Sequence, residues 1–366
     1  MISVRQVLGN KHHDFTKMTA EEGFELGPSI SADESILLDE KGWTLFEYDF
    51  PANRAIFIDV DPDGDVINVP FAYSTQMRIA KRWASIDLDA FLTLSGKIGT
   101  HHRFLHLQNI GHCGSTLLHH VLNASGSMWD ISEPKFTRDI SMNRKSLLRE
   151  KQVELAKAGL KFLSLYPRAR ERDVIVVKHF SQGTKIFDIW QNASSGSKTI
   201  FMYRDALSWC NSDFGFWQRW GLPTPMPFEE RHFVWDTKSG VEGEDYLKGL
   251  VDFNREGLTF AELSACSWAL HVEEFLKARE SGLNAMALRY NELLTDRASI
   301  LDTVFDFCGV VPQDLIQAMN AFKTDAHEGE LTAHSKAVQK LNPADNSNIL
   351  RILESPHFAL SPYVIL

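Results

Sequence analysis

A glycine-punctuated turn within residues 104–118 carries the residue types that bind phosphate. It lies between an apolar run and a helix-forming run, in the sequence FLHLQNIGHCGSTLL. Glycine lets the backbone turn sharply and approach a ligand closely, and unpaired amides at the start of a helix attract an anion. A plain strand-to-helix turn with Ser115 as the helix cap is the alternative. The residues that would form the anion site are Gly111, His112, Cys113, Gly114, Ser115 and Thr116.

This loop differs from the Walker phosphate loop of nucleotide triphosphatases. The Walker motif is GxxxxGK[ST], whereas here two residues separate Gly111 from Gly114 and no lysine follows. Enzymes that act on ATP or GTP normally place that lysine on the β- and γ-phosphates. The spacing therefore argues against a nucleotide triphosphatase.

The loop resembles that of the sulfotransferase family, which carries [KR]-S-G-[ST]-T-x-L after its first strand. Residues 112–118 occupy those positions. His112 stands where the family has Lys or Arg, and Cys113 stands where it has Ser. The resemblance extends over residues 103–310 and does not include the first hundred residues.

A second match to the family lies downstream of the loop. In the family, an Arg that ends a strand and a Ser eight residues later bind the 3′-phosphate of the cosubstrate. Here Arg204 follows the strand-forming run 199–203, and Ser212 comes eight residues after it. A guanidinium at a strand end and a hydroxyl two turns into the next helix can converge on one phosphate.

The resemblance implies that the protein transfers a sulfuryl group from 3′-phosphoadenosine 5′-phosphosulfate (PAPS) to a hydroxyl or amine, without a metal. It places the loop at the 5′-phosphosulfate, and Arg204 with Ser212 at the 3′-phosphate. The sequence does not identify the acceptor, which we expect to be a small molecule, a glycan or a lipid. Trp217 and Trp220, which begin an irregular segment, are candidates to contact it.

Three residues are candidates for the base that deprotonates the acceptor. Glu133 follows the second predicted strand, His179 follows the third, and His112 lies in the loop itself. Strand ends at the carboxyl edge of a parallel sheet are where ligands bind, so position favours all three. The resemblance also gives His112 the role of donor to the leaving phosphate, either as a cation or as a neutral group with Lys178 supplying the charge.

Two functions other than sulfuryl transfer stay open. One is a non-catalytic protein of the same fold that binds adenosine bisphosphate, and the other is a P-loop kinase with a divergent loop. A metal site is not expected, because the adjacent His119 and His120 cannot face one ion from a helix.

Alternating strand-forming and helix-forming runs from residue 103 onwards predict an open, mainly parallel sheet flanked by helices. We therefore expect an α/β fold. The predicted strands span residues 103–108, 128–131, 173–177, 199–203 and 285–289. The predicted helices span residues 115–123, 144–165, 183–191, 205–217, 260–279 and 297–308.

The chain before this alternation has a different pattern. Short runs of β-favouring residues indicate that residues 1–100 form a β-rich N-terminal domain, for which we consider a substrate-selecting or a dimerising role. Residues 101–366 form the predicted α/β domain. A long segment without clear periodicity, near residues 217–255, is expected to be an insertion or lid.

The overall charge limits the class of partner. Lys and Arg number 38 and Asp and Glu number 48, so the formal net charge is −10. Nucleic-acid binding is not expected, because it depends on phosphate contacts from basic residues. The 4 cysteines show no metal-binding spacing, and no apolar stretch is long enough to span a membrane. We expect a cytoplasmic protein, either monomeric or a homo-oligomer.

Overall fold

The computed structural model describes residues 1–11, 20–60, 69–99, 101–219, 251, 258–324 and 340–355. The strands are β1 (Ile2–Asn10), β2 (Phe24–Ala32), β3 (Trp43–Asp49), β4 (Arg54–Asp59), β5 (Arg82–Asp87), β6 (Arg103–Asn109), β7 (Met128–Ser132), β8 (Val174–Lys178), β9 (Lys198–Tyr203) and β10 (Ala285–Arg289). The helices of the first half are α1 (Ala20–Gly23), α2 (Ile36–Asp39), α3 (Ala72–Ile79), α4 (Leu88–Gly96), α5 (Ser115–Ala124), α6 (Lys135–Met142), α7 (Arg149–Leu163) and α8 (Phe187–Ala193). The later helices are α9 (Ala206–Arg219), α10 (Phe260–Glu280), α11 (Tyr290–Thr295), α12 (Arg297–Cys308), α13 (Leu315–Ala321) and α14 (Pro343–Leu353).

Strands β6–β10 form a parallel sheet in the order β10-β9-β6-β8-β7. Strand β8 is the continuously apolar run Val174–Val177 followed by Lys178, and it is buried throughout, as expected where helices cover both faces. The chain enters at the central strand β6, passes to β7 and β8 on one side, and then to β9 and β10 on the other. The predicted α/β fold with a mainly parallel sheet is confirmed.

The helices before β9 differ from the prediction in three places. Helix α7 begins at Arg149 rather than at residue 144, because the side chain of Gln152 donates to the carbonyls of Arg144 and Leu147 and closes a turn there. Helix α6 was not predicted at all. The helix expected over residues 183–191 starts as the 3₁₀ turn Ser181–Ile186 and continues as α8.

The N-terminal part of the chain forms a second sheet, which is antiparallel. Its strand order is β2-β1-β5-β4-β3, and every neighbouring pair is antiparallel. Strand β3 is buried along its whole length because helices α6 and α7 cover it. The expected β-rich addition is therefore present.

The two sheets are joined by contacts between β3 and the helices that follow β7. The hydroxyl of Tyr48 donates to the carbonyl of Leu155 in α7 at 2.8 Å, and its amide donates to Asp139 in α6 at 3.0 Å. The Tyr48 ring also packs edge-on against Phe136. The N-terminal sheet thus shares one hydrophobic core with the outer face of β7 and β8.

None of the helices formed by the described residues is long and apolar enough to cross a membrane.

Substitution of Gly159 by alanine should destabilise the packing of α7 against α6. A Cβ at this position would lie 2.5 Å from the ring of Phe136, which is fully buried. Overpacking of this kind costs about 1–3 kcal/mol. We expect Gly159→Ala to lower the midpoint of urea denaturation, followed by tryptophan fluorescence.

The matched control for this substitution is Gly96→Ala. Gly96 also lies in a helix, but a Cβ there would meet no atom of the described residues within 4 Å. Alanine is favoured over glycine in a helix by up to about 1 kcal/mol, so the control should keep or raise the midpoint. Equal midpoints for Gly159→Ala and the unsubstituted protein would contradict the packing of Gly159 on Phe136.

Candidate active site

A cavity of about 670 Å³ opens at the carboxyl edge of the parallel sheet. The chain just beyond β6, β7, β8 and β9 lines it, together with residues of α9, α10 and α11. Ligands bind in the crevice at this edge of open α/β sheets, beside the strand where the order reverses. The cavity contains these residues singled out from the sequence: Gly111, His112, Gly114, Ser115, Thr116, Glu133, Lys178, Arg204, Ser212 and Trp217.

The loop between β6 and α5 turns through left-handed backbone conformations. Gly111, His112 and Gly114 have φ values of 73°, 47° and 79°. The turn is held from both sides, since the amide of Gly111 donates to Asn109 Oδ1 at 2.8 Å and its carbonyl accepts from Trp209 Nε1 at 2.7 Å. These bonds fix the loop in the shape that the two glycines allow.

Gly114 is the residue before α5 and needs the absence of a side chain for two reasons. Its φ is left-handed, and a Cβ at this position would overlap the ring of Tyr290. It also leaves the start of α5 without a side-chain cap, so the first amides of the helix are not taken up by one. The hydroxyl residues Ser115 and Thr116 lie in this first turn and line the cavity.

Cys113 is the residue of the loop that does not line the cavity, although the residues on both sides of it do. Its side chain is fully buried beneath the loop and donates to the carbonyl of Met202 at 3.3 Å. Burial raises the pKa of this thiol to about 11. The sulfur is therefore neutral and faces the core. Although the sequence placed Cys113 in the anion site, its side chain does not reach the cavity.

Arg204 lies at the carboxyl end of β9 and lines the cavity. Its guanidinium stacks over the ring of Tyr290 at 5.0 Å from the ring centroid. Its Nε is buried and has no hydrogen-bond partner among the described residues. Ser212, two turns along α9, lines the same cavity. A partly buried guanidinium whose Nε has no hydrogen-bond partner among the described residues is the arrangement expected of a phosphate site.

Lys178 and Glu133 form a charged pair on the other side of the loop. Lys178 Nζ donates to Glu133 Oε1 at 2.6 Å and to Ser132 Oγ at 3.1 Å, and the lysine is almost completely buried. Glu133 has a left-handed φ of 53°, and its amide donates to the carbonyl of Lys178 at 2.7 Å. Non-glycine residues rarely adopt this backbone, and they cluster at functional sites.

His112 lies beside a buried carboxylate that the sequence did not indicate. Its Nε2 is 3.6 Å from Asp213 Oδ1, and the other oxygen of Asp213 accepts from Ser264 Oγ at 2.7 Å. The ring of Phe216 packs against the imidazole at 4.7 Å between centroids. A protonated His112 would form an ion pair with Asp213.

His179 does not reach the cavity. Adjacent residues of an extended chain point to opposite sides, so Lys178 faces the cavity and His179 faces the core. His179 is fully buried and bonds to His106 at 3.0 Å, and His106 bonds to Ser194 at 2.9 Å. Burial holds the pKa of His179 well below its usual value. The structure therefore does not place this candidate base where an acceptor could bind.

The remaining sequence predictions concern contacts with the acceptor and the binding of a metal ion. Trp217 is buried, and part of it lines the cavity. Trp220 and almost all of the insertion near residues 217–255 lie outside the described residues. Among the residues that the structure describes, no group of three or more His, Cys, Asp or Glu side chains is arranged to hold a metal ion.

Several residues that line the cavity were not indicated by the sequence, and three of them contact the groups described above. Asp213 directly follows Ser212, and its position one turn after Trp209 and one turn before Phe216 gave a weak helical signal. Tyr290 is the first residue of α11 and follows β10 directly. Phe71 directly precedes α3, in the N-terminal part of the chain, where no sequence motif indicated a contact with the site.

Comparison with solved structures finds sulfotransferases of low sequence identity. A sulfotransferase from Mycobacterium tuberculosis is 12% identical, with 73% of this chain and 79% of that chain covered and a TM-score of 0.38. One from Mycobacterium avium is 11% identical, with 75% and 81% covered and a TM-score of 0.40. The sulfotransferase domain of the curacin biosynthetic pathway is 13% identical, with 72% and 99% covered and a TM-score of 0.36.

No curated protein matches the chain in sequence. The family model described as "Sulfotransferase domain" matches residues 110–350, which is more than half of the chain and includes the loop, Arg204 and Ser212. The protein therefore belongs to the sulfotransferase domain family.

Proposed function

We propose that the protein transfers a sulfuryl group from PAPS to a hydroxyl or amine of an acceptor that is a small molecule, a glycan or a lipid. The observation that carries this proposal is the buried Nε of Arg204, which lacks a partner among the described residues and lines one cavity with the loop. A phosphate at this position would supply the missing acceptor. The donor nucleotide has two phosphate groups to occupy the two anion-binding elements.

The order of the strands in the parallel sheet supports separate binding regions for the donor and the acceptor within the cavity. Arg204 ends β9, the loop ends β6, Lys178 ends β8, and Glu133 follows β7. Neighbouring strands lie about 4.8 Å apart, so Arg204 and Glu133 are separated by three spacings, or about 14 Å. In the proposed arrangement the 3′-phosphate binds Arg204 and Ser212, the 5′-phosphosulfate binds the loop, and the acceptor binds beside Glu133.

The donor supplies an activated sulfuryl group, whose sulfur–oxygen bond to the phosphate breaks as the acceptor oxygen bonds to sulfur. Glu133 is the base in this proposal, because its carboxylate lines the cavity and takes the proton that the acceptor loses. Lys178 Nζ holds that carboxylate in place at 2.6 Å. The ammonium also brings a buried positive charge to the side of the loop where negative charge develops.

His112 replaces the cationic residue of the family in this proposal. Asp213 lies 3.6 Å from its Nε2 and stabilises the imidazolium by Coulomb attraction. The charged histidine would then donate to the departing phosphate oxygen. The left-handed backbone at His112 keeps the residue in the loop, where that oxygen would bind.

Replacing Arg204 by alanine should weaken binding of adenosine 3′,5′-bisphosphate. The loss of a charge-assisted contact to phosphate costs about 2 kcal/mol, which corresponds to roughly a thirtyfold change in Kd at room temperature. Isothermal titration calorimetry measures this directly. Equal affinities for Arg204→Ala and the unsubstituted protein would show that Arg204 does not bind the nucleotide.

Arg279→Ala is the matched control for Arg204→Ala. Arg279 also stacks on an aromatic ring, with its guanidinium 5.8 Å from the centre of Phe275, but it does not line the cavity. Its removal should leave the affinity for the bisphosphate unchanged.

The same titrations with ATP and magnesium test the kinase alternative, which requires ATP to bind more tightly than the bisphosphate.

Glu133→Gln should lower kcat by about 10²–10⁴-fold, because the amide cannot accept the acceptor's proton. Affinity for adenosine 3′,5′-bisphosphate should change little, since Glu133 lies on the far side of the loop from Arg204. The rate is followed as release of the bisphosphate from PAPS with the best acceptor of a panel of alcohols, phenols, amines and sugars. An unchanged kcat would remove Glu133 from the mechanism.

Glu47→Gln is the control for a general effect of breaking a buried lysine–glutamate pair. Glu47 contacts Lys135 Nζ at 2.6 Å in a comparably buried setting, but away from the cavity. We expect this variant to be less stable than the unsubstituted protein and to keep its kcat.

Binding of the bisphosphate without transfer to any acceptor would favour the non-catalytic alternative.

A further inference from the structure

The chain that precedes α3 contacts the site from the N-terminal side. Ser132 Oγ donates to the carbonyl of Pro70 at 2.5 Å, directly beside the Lys178–Glu133 pair. The ring of Phe71 lies 5.8 Å from Lys178 Nζ. Residues 69–73 are thus attached to the part of the cavity that holds the charged pair. This segment lies outside residues 110–350, the range matched by the family model.

Phe71 belongs to a cluster of three aromatic rings at this end of the cavity. Phe180, which follows β8, also lines the cavity, and Tyr73 packs between the two phenylalanines. The ring centroids are 6.1 Å apart for Phe71 and Tyr73, and 5.4 Å apart for Tyr73 and Phe180. All three rings are partly exposed, so they offer flat apolar surface that a bound molecule would bury.

We propose that Phe71 and Phe180 form the binding face for the acceptor and select acceptors with a flat apolar body that carries the reacting hydroxyl. This inference rests on the proposed function, in which Glu133 marks the acceptor side. It gives the N-terminal sheet a role in acceptor binding, because α3 begins directly after Phe71 and its Gln76 donates to Thr44 of β3 at 3.1 Å.

The charged side chains that line this end of the cavity fit an uncharged acceptor. Arg138, whose guanidinium lies 5.9 Å from the centre of the Phe180 ring, does not line the cavity. Lys178 and Glu133 pair with each other at 2.6 Å, so each offsets the charge that the other presents to a ligand. The phenylalanine rings have no hydrogen-bonding groups of their own. A flat apolar molecule with one hydroxyl could therefore cover both rings and direct that hydroxyl to Glu133, whereas a sugar would lose hydration of its other hydroxyls against them.

The test uses 2-naphthol as the probe and methyl β-glucopyranoside as the polar alternative. Each is titrated by calorimetry into the full-length protein, with and without saturating adenosine 3′,5′-bisphosphate. We expect 2-naphthol to bind the unsubstituted protein and to bind Phe71→Ala about tenfold more weakly, since a buried aromatic contact contributes about that much. Affinity for the bisphosphate should be the same in both proteins.

Phe50→Ala controls for loosening of the N-terminal sheet, because Phe50 packs on Tyr48 in that sheet and does not line the cavity. It should bind 2-naphthol like the unsubstituted protein. Phe71→Leu keeps an apolar side chain without a flat ring and serves if the alanine variant does not fold. It should also bind 2-naphthol more weakly.

Three results would overturn the inference: no binding of 2-naphthol, equal binding by the Phe71 variants, or preference for the glucopyranoside. The bisphosphate titrations separate this outcome from failure of the proposed function. If the bisphosphate does not bind, the proposed donor is wrong, and the 2-naphthol titrations without nucleotide still decide the role of Phe71.

Discussion

The ring of Tyr290 fixes the spacing between the two elements that we propose bind the phosphate groups of the donor. One part of the ring lies so close to Gly114 that no side chain fits there, and Arg204 stacks over the ring at 5.0 Å. The loop before α5 and the guanidinium of Arg204, which directly follows β9, are therefore positioned by the same ring. Because Tyr290 directly follows β10, the position of the outermost strand determines the distance between loop and guanidinium. A ligand with two phosphate groups can use this fixed separation without ordering either element.

The site shows how an acidic protein can present positive charge to an anion. The net charge is −10, yet the cavity contains Arg204, Lys178 and the amides that start α5. Carboxylates are also present, but Glu133 pairs with Lys178 and Asp213 lies beside His112. Local groups at contact distance outweigh charges spread over the surface, because salt screens the latter within about 10 Å.

Much of the fold and part of the cavity lining could be predicted from the sequence. The buried strands of the parallel sheet are short apolar runs, and the loop is defined by its glycines, so both leave a local signal. His179 shows the limit of such signals: a shift of one residue along an extended chain moves a side chain from the cavity to the core, and Lys178 occupies the cavity instead. The Cys113 side chain points into the core, although its neighbours His112 and Gly114 in the same loop line the cavity. Phe71 could not be predicted, because its position depends on how the N-terminal sheet packs against α6 and α7.

In the proposed arrangement, the loop and Arg204 form one site for a nucleotide with both a 3′- and a 5′-phosphate. Its most direct test is a calorimetric comparison of adenosine 3′,5′-bisphosphate with adenosine 5′-monophosphate on the unsubstituted protein. We expect the bisphosphate to bind at least about tenfold more tightly than the monophosphate, because only the bisphosphate has a 3′-phosphate to contact Arg204 and Ser212. Equal affinities for the two nucleotides would contradict it.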